Sequence, residues 1–332
     1  MELAFREATQ EDFAPFYNAC FFQDRDNAAL REVVGREWRV LLKNPATISM
    51  VVVDGERLPE RRLVGCGQLA FVTDEFVGWA RTAPVPHVNV QATRRMPDGS
   101  RPLLTLDQVA EANADAGLNG LFTRWGRANQ QLTPEEQGQV GWFMHQACLA
   151  LTRGYQFKEL LVEAIGEAAR DSALRAGYLE RNCARTDHGD HNSPRNRPFL
   201  MSLTREEARR REGCVMGYFF VFQPPRFGFT PGQQKMLRLC HRLPEASDEA
   251  LAQALGEPPG TVKNRWRAIY GRMMDADPDL LPVRESGARG LEKKRRVLHY
   301  LREHPEELRP YKPPRRKGGG APACERRSRE EG

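Results

Sequence analysis

The sequence predicts an α/β (α+β) domain built on a mixed sheet, followed by a smaller all-α domain. Over the first half of the chain, β-rich segments alternate with amphipathic ones, as in a sheet covered by helices. The C-terminal third has amphipathic segments separated by Pro and Gly turns. At 332 residues, the length also favours two domains. The predicted boundaries are 1–185 for the α/β domain, 186–225 for a polar loop, a strand and a linker, 226–311 for the all-α domain and 312–332 for a disordered basic tail.

The first half of the α/β domain is predicted as a short strand, two helices and a strand pair. Thr9 is placed to cap the first helix, and the second covers about 28–42. Segments 48–53 and 63–72 are β-rich and flank the turn-like Asp54-Gly55-Glu56, which predicts an antiparallel pair. Three further elements are predicted: a strand at 85–91, a helix at 106–116 and a strand at 118–125.

The second half of this domain opens with its clearest helix signal. Thr133 is a cap residue, Pro134 suits the first helical position, and acids follow in the first turn. A buried strand at 157–163 and a helix at 168–176 come next, and Gly177 ends that helix. Beyond them, a polar stretch at 184–213 and a strand at 215–222 are predicted.

The most specific pattern in the chain is a tight turn between two short amphipathic segments. The first segment ends at Leu255-Gly256, where glycine tolerates left-handed backbone, and Pro258 and Pro259 cannot continue it. Thr261 is predicted to cap the second segment. Helical spacing there places five residues on one apolar stripe: Val262, Trp266, Ile269, Tyr270 and Met273. This layout predicts a helix-turn-helix, whose second helix enters the major groove of DNA.

The face opposite this stripe is basic and carries no acid before Asp275. Because a solvated face usually mixes both charge signs, this bias favours an anionic partner. Asn264 and Arg267 are placed to contact base edges, since Asn suits adenine and Arg suits guanine. Lys263 and Arg265 flank them and are expected at phosphates, as are N–H groups at Thr261. The predicted DNA-binding residues are Thr261, Lys263, Asn264, Arg265, Arg267 and Arg272.

The charge of the chain is concentrated towards its C-terminus. From Arg226 onward there are 23 Lys and Arg against 15 Asp and Glu, a net charge of +8. The remainder has 27 against 29, a net charge of −2. This asymmetry is typical of a nucleic-acid-binding module attached to a nearly neutral domain.

The segment from Phe229 to Met273 resembles the LuxR-type DNA-binding domain over 45 of 332 residues. The matching residues are Thr230-Pro231, Ser247 to Ala252, Leu255-Gly256, Gly260 to Asn264 and Ile269-Tyr270. Glu257 departs from the pattern, because the family has an apolar residue at this place in the turn. The resemblance implies a transcriptional regulator that binds double-stranded DNA, with a homodimer and RNA polymerase as further expected partners.

The order of elements from Phe5 to Tyr178 resembles the GNAT acyltransferase fold, in which a late helix also ends at Gly followed by an aromatic residue. That family binds the coenzyme A pyrophosphate through a glycine-rich loop at a helix N-terminus. Here the corresponding position holds Gln131 to Glu136, where Pro134 lacks an N–H and Glu135 and Glu136 add negative charge. The resemblance therefore implies the fold without the cofactor, and no catalytic residue is predicted.

Three functions are compatible with these patterns. The leading one is a DNA-binding transcriptional regulator whose N-terminal domain is a sensor or a dimerisation module. The alternative is an active N-acyltransferase that uses acyl-CoA and carries a DNA-binding tail. A third is a sigma-factor-like basic helix-turn-helix, although no other segment resembles a sigma factor.

Other classes of protein have little support in the sequence. The seven cysteines are odd in number and no two lie within ten residues, which disfavours a disulfide framework or a Cys-rich zinc site. Asp187-His188-Gly189-Asp190-His191 is the one metal-like cluster, and its loop-like surroundings disfavour a metal there. Because no run approaches about 18 apolar residues and no signal peptide is recognisable, we expect a cytoplasmic protein without membrane contact.

Overall fold

The computed structural model describes residues 1–20, 28–82, 87–128, 131–183, 197–243, 245–281 and 290–312. Within these ranges, the N-terminal part is built on a seven-stranded sheet with the order β1-β2-β3-β4-β5-β7-β6. The strands are β1 (Leu3–Glu7), β2 (Ile48–Asp54), β3 (Leu63–Val72), β4 (Leu118–Arg127), β5 (Phe157–Ile165), β6 (Leu179–Cys183) and β7 (Pro198–Thr204). The predicted mixed α/β sheet is therefore confirmed.

Helices cover both faces of this sheet. They are α1 (Phe13–Cys20), α2 (Ala28–Lys43), α3 (Asp74–Thr82), α4 (Val88–Ala92), α5 (Leu106–Ala114), α6 (Pro134–Thr152), α7 (Glu167–Ala176) and α8 (Arg205–Arg209). On one face, α5 and α6 bury residues such as Val109 and Met144 against Leu160. On the other, α1 to α4 bury Phe16, Trp38 and Phe76, among others.

The regular elements described in the C-terminal part are all helical. They are α9 (Pro231–Arg242), α10 (Asp248–Leu255), α11 (Pro259–Ala276), α12 (Gly290–Glu303) and a 3-10 turn at Pro305–Leu308. These elements share one apolar core, which includes Met236, Leu251, Ile269 and Val297. The helices predicted here are present, while the LuxR-type assignment stays a prediction.

Two predicted strands are helical in the structure. Residues 88–91, expected as part of a strand, lie in α4, because the Glu163 carboxylate accepts hydrogen bonds from the backbone N–H groups that begin this helix. Residues 215–220 of the strand expected at 215–222 form a 3-10 helix, Val215–Phe220. Its buried residues, Met216, Phe219 and Phe220, have helical spacing and pack in the core below the sheet. Phe219, for example, meets Phe122 edge to face.

The polar stretch predicted at 184–213 contains a strand that the sequence analysis missed. Its β7 is fully buried over Phe199–Leu203 and pairs with both β5 and β6. The sheet of the α/β domain therefore extends past the boundary predicted at residue 185. The metal-like cluster at 187–191 lies outside the described residues.

Candidate nucleic-acid interface

A three-residue turn joins α10 to α11. Ser247 caps α10, and Gly256 ends it with left-handed backbone at φ 69° and ψ 35°. The N–H of Glu257 then donates to the carbonyl oxygen of Ala252 at 2.9 Å, which closes the end of the helix. The predicted turn and its glycine are thus where the sequence placed them.

The start of α11 differs from the prediction. Pro258, not Thr261, occupies the N-cap position, and Pro259 is the first helical residue. A proline fits there because its fixed φ is helical and its missing N–H would have no partner inside the helix. The N–H of Thr261 donates to the carbonyl oxygen of Pro258 at 2.9 Å, so that N–H group is not available to a phosphate in the way predicted.

Four of the five residues of the predicted apolar stripe of α11 are buried, and Tyr270 is half-buried. Val262, Ile269 and Met273 are fully buried, and Trp266 is nearly so. Trp266 stacks on Tyr270 with 5.6 Å between ring centroids, while Lys294 of α12 places its Nζ 5.8 Å from the indole. This packing fixes the rotation of α11 about its axis, and hence which side chains point outward.

Four of the predicted DNA-binding residues are exposed. Three of them, Lys263, Asn264 and Arg267, lie close together in the first half of α11, and the fourth is Arg272. Arg267 Nη1 lies 3.5 Å from Asn264 Oδ1, at the limit of a hydrogen bond. The two groups expected to read bases therefore lie side by side. Among the described residues, none of the three forms an ion pair with an acidic side chain, although Lys263 attracts the Glu249 carboxylate of α10.

The other two arginines already have partners within the protein. Arg265 forms an ion pair with Glu257, and both side chains are mostly buried. Arg272 Nη1 donates to the carbonyl oxygen of Gly228 at 3.2 Å. The Glu257–Arg265 pair was not predicted from the sequence, although an acid at a position where an apolar residue was expected was its signal. Their predicted DNA contacts stay predictions that require these interactions to be exchanged.

In the α/β domain, the N-terminus of α6 is satisfied by its own side chains. Thr133 and Glu136 form a capping box, in which each side chain accepts a hydrogen bond from the other's backbone N–H. Arg57 contacts Glu136 at 2.6 Å and Asp54 at 3.0 Å. The hydrogen bond from the Thr133 backbone, together with Arg57, lowers the pKa of Glu136. Negative charge thus occupies the place where an anion would meet the helix dipole.

Two neighbouring strands of the sheet, β4 and β5, diverge towards their C-terminal ends. β4 and β5 run parallel, and their pairing ends at Phe122 and Val162, although β4 continues to Arg127 and β5 to Ile165. A bulge in β4 accompanies this divergence, since Phe122 and Arg124 pair with consecutive residues of β3. The carboxyl ends of parallel strands are common ligand sites in α/β proteins.

The opening between β4 and β5 is lined on one face by buried polar groups. Arg124 forms an ion pair with Glu37 of α2, and Gln68 lies directly opposite Arg124 on β3. Glu163 of β5 is largely buried, and this burial raises its pKa to about 7, against the opposing effect of backbone N–H groups from residues 87–89. These groups can hold a proton or a polar ligand, but no pair of them has the geometry of a nucleophile and its base.

Other kinds of site are not seen in the described part of the chain. No group of three or more His, Cys, Asp or Glu side chains there could hold a metal ion. Among the helices described, none combines the length and the apolar character that crossing a membrane requires.

Comparison with known proteins gives structural similarity only. No family model and no curated protein matches the chain. The C-terminal condensation domain of Ebony, in complex with β-alanyl-dopamine, is similar over 61% of this chain and 99% of its own, with 15% identity and a TM-score of 0.39. FeeM, an N-acyl amino acid synthase from uncultured soil microbes, is similar over 64% and 95%, with 10% identity and a TM-score of 0.36.

A histone acetyltransferase-related protein from Corynebacterium glutamicum is similar over 61% of this chain and 96% of its own. Its identity is 14% and its TM-score 0.36. At such identities and TM-scores, the similarity carries no activity over to this chain.

Proposed function

We propose that this protein is a DNA-binding transcriptional regulator in which α11 enters the major groove of duplex DNA. The observation that carries the proposal is the outward face of α11, where Lys263, Asn264 and Arg267 are exposed together. A recognition helix must be held rigidly by the rest of its domain, and the buried stripe through Trp266 packs α11 in this way. The net charge of +8 from Arg226 onward gives attraction to phosphates at longer range.

The α/β domain then has the role of a sensor or a dimerisation module. A homodimer would present two copies of α11 to a two-fold symmetric site, which is how helix-turn-helix proteins commonly bind. RNA polymerase is a further partner in this proposal, and the cytoplasm is the expected location. These parts follow from the regulator role.

The test is binding of the full chain to duplex DNA. Genomic fragments selected by footprinting would be labelled, and affinity measured by fluorescence anisotropy at fixed salt. We expect the double variant Lys263→Ala, Arg267→Ala to lose at least tenfold in affinity, or about 1.4 kcal/mol. The double variant Arg61→Ala, Arg175→Ala is the matched control, because it also removes two positive charges, from exposed positions of the α/β domain. Equal loss in both variants would contradict the proposal.

A second candidate function is N-acyl transfer, which rests on the divergence of β4 and β5 and on the resemblance of the element order to the GNAT fold. The α6 N-terminus is less favourable to it, since the capping box and Pro134 leave few N–H groups for a pyrophosphate. Acetyl-CoA at 100 times its dissociation constant should stabilise a binding protein by about 2.7 kcal/mol. A matching rise in melting temperature, together with thioester cleavage in the presence of an amine, would support this alternative.

A further inference from the structure

The chain does not end with α12. It returns through residues 304–312, here called the C-terminal strap, and lies between the α/β domain and the all-α domain. On the α/β side, Asn113 Nδ2 donates to the carbonyl oxygens of Pro310 at 2.9 Å and Gly154 at 3.0 Å. Asn113 is fully buried, and its Oδ1 accepts from the N–H of Gln156 at 2.6 Å. One side chain thus joins the strap to the loop before β5.

Arg309 of the strap closes the end of α6. Its Nε donates to the carbonyl oxygen of Arg153 at 3.0 Å and its Nη2 to that of Ala150 at 3.3 Å. The last carbonyls of a helix have no partner within it, and a cation is favoured there by the helix dipole. The strap therefore supplies the C-terminal cap of a helix that belongs to the other domain.

A buried carboxylate reinforces this contact. Glu306 of the strap is 2% exposed and lies 2.9 Å from Arg153 Nε of the α/β domain. His304 Nδ1 lies 2.9 Å from the same carboxylate. A buried carboxylate that loses its partner is strongly destabilising. Separation of the domains at this point would leave Glu306 without Arg153.

The all-α domain holds the same strap from the opposite side. Gln234 of α9 is buried, and its Nε2 donates to the carbonyl oxygens of Arg309 at 2.7 Å and Glu307 at 3.3 Å. The Glu307 carboxylate accepts from the N–H groups of Arg226 at 2.7 Å and Phe227 at 3.0 Å. Leu308 contributes to the core of the all-α domain. Both domains thus bind the strap through buried polar contacts.

We propose that the C-terminal strap is a latch that fixes the orientation of α11 relative to the α/β domain. A change at the end of α6 would then reach α9, and so the DNA-binding helices, through Arg309 and Glu306. The physical reason is that the same few residues satisfy buried polar groups on both sides. Neither side can move without leaving such groups unpaired. The link to DNA rests on the proposed function, whereas the latch itself does not.

Hydrogen exchange of the full chain tests the latch directly. Gln234→Ala changes only the all-α side of the strap. We expect it to increase exchange about tenfold at the N–H of Gln156, in the other domain. Gln253→Ala, at an exposed position of α10, is the matched control. Faster exchange confined to the all-α domain would overturn the proposal.

The reverse experiment covers the case in which Gln234→Ala does not fold. Arg153→Ala removes a partly exposed arginine of the α/β domain, and we expect it to increase exchange several-fold in α9. Unchanged exchange in α9 would overturn the latch. Where the wild-type protein binds DNA, Arg153→Ala should also change its affinity. If the wild-type protein does not bind DNA, the proposed function is wrong. The hydrogen-exchange result then still shows whether the strap is a latch.

Discussion

Arg265 of α11 forms an ion pair with Glu257 in the turn before it, with 2.6 Å between Nη1 and Oε2. The pair accounts for two features of the sequence at once. It gives a role to the acid at a position of the turn where an apolar residue was expected. It also engages an arginine that was expected to contact a phosphate. An ion pair thus stabilises the turn at a position where an apolar side chain was expected to pack.

Replacement of Glu257 by Gln should free Arg265 for DNA. We expect tighter binding and a salt dependence steeper by about one unit, since one more phosphate contact adds about 0.9 to the slope. The loss in folding stability should be about 1–3 kcal/mol, more than for an exposed pair, because both side chains are mostly buried. Anisotropy titrations at several salt concentrations measure this. Glu245→Gln removes an exposed acid between α9 and α10 and is the control; equal slopes in both variants would contradict the prediction.

Binding of the full chain to duplex DNA should weaken with salt. If about five Lys and Arg side chains pair with phosphates, the slope of log affinity against log salt concentration should be about −4 to −5. The excess of basic residues from Arg226 onward is the reason for this expectation. A slope near zero would show that the basic C-terminal third is not the binding surface.

Two exposed residues of α11 should have different effects on specificity. Arg267→Ala should relax the preference at one base pair by about 1–3 kcal/mol, because a base-edge contact is lost. Lys263→Ala should weaken binding to all sequences alike, as expected for a phosphate contact. Affinities across a panel of single-base operator variants distinguish the two. The opposite pattern would mean that α11 is rotated in the groove.

Trp266 should be essential for the fold of the all-α domain. It is 5% exposed, stacks on Tyr270 and lies beneath Lys294. Trp266→Ala should destabilise the protein by about 3–5 kcal/mol, the usual cost of removing a buried aromatic side chain. Urea unfolding followed by circular dichroism measures the change. A loss below about 1 kcal/mol would show that the stripe does not support α11.

Glu163 should make stability depend on pH in a defined window. Burial raises its pKa from 4.5 to about 7, so the folded protein keeps a proton that the unfolded chain releases between these values. Stability should therefore fall as pH rises through this window, by on the order of 3 kcal/mol relative to Glu163→Gln. Urea unfolding at pH 4.5 and pH 8 measures the difference. If wild type and Glu163→Gln differ in unfolding free energy by the same amount at both pH values, the prediction is wrong. Glu167→Gln, on the surface of α7, is the control for the loss of one acid.

Elements with local signals were predictable from the sequence. The caps at Thr133 and Thr230 lie within four residues of the N–H groups that they satisfy, and Gly256 ends its helix through its own backbone. The stripe of α11 also follows from spacing alone, since helical periodicity decides which residues share a face. The exposure of Lys263, Asn264 and Arg267 followed directly from it.

Other features depend on partners that are distant in the chain. The start of α4 is stabilised by Glu163, 75 residues away, so no local pattern could predict a helix there. The strand β7 lies between β5 and β6, and this order decides its burial. Arg265 reaches Glu257 of the turn only once the buried stripe has fixed the rotation of α11, and a charge pattern does not specify that rotation.

By itself, the sequence determined where most helices and strands begin and end and which face of α11 is basic, because these depend on backbone preferences and periodicity within a few residues. The tertiary structure alone decided which charged groups remain open to a partner. It also decided that residues 304–312 bind both domains, since Asn113 and Gln234 lie 121 residues apart in the chain and meet at one strap. Such contacts form only when folding brings distant residues together, so they cannot be predicted from a pattern of neighbouring residues.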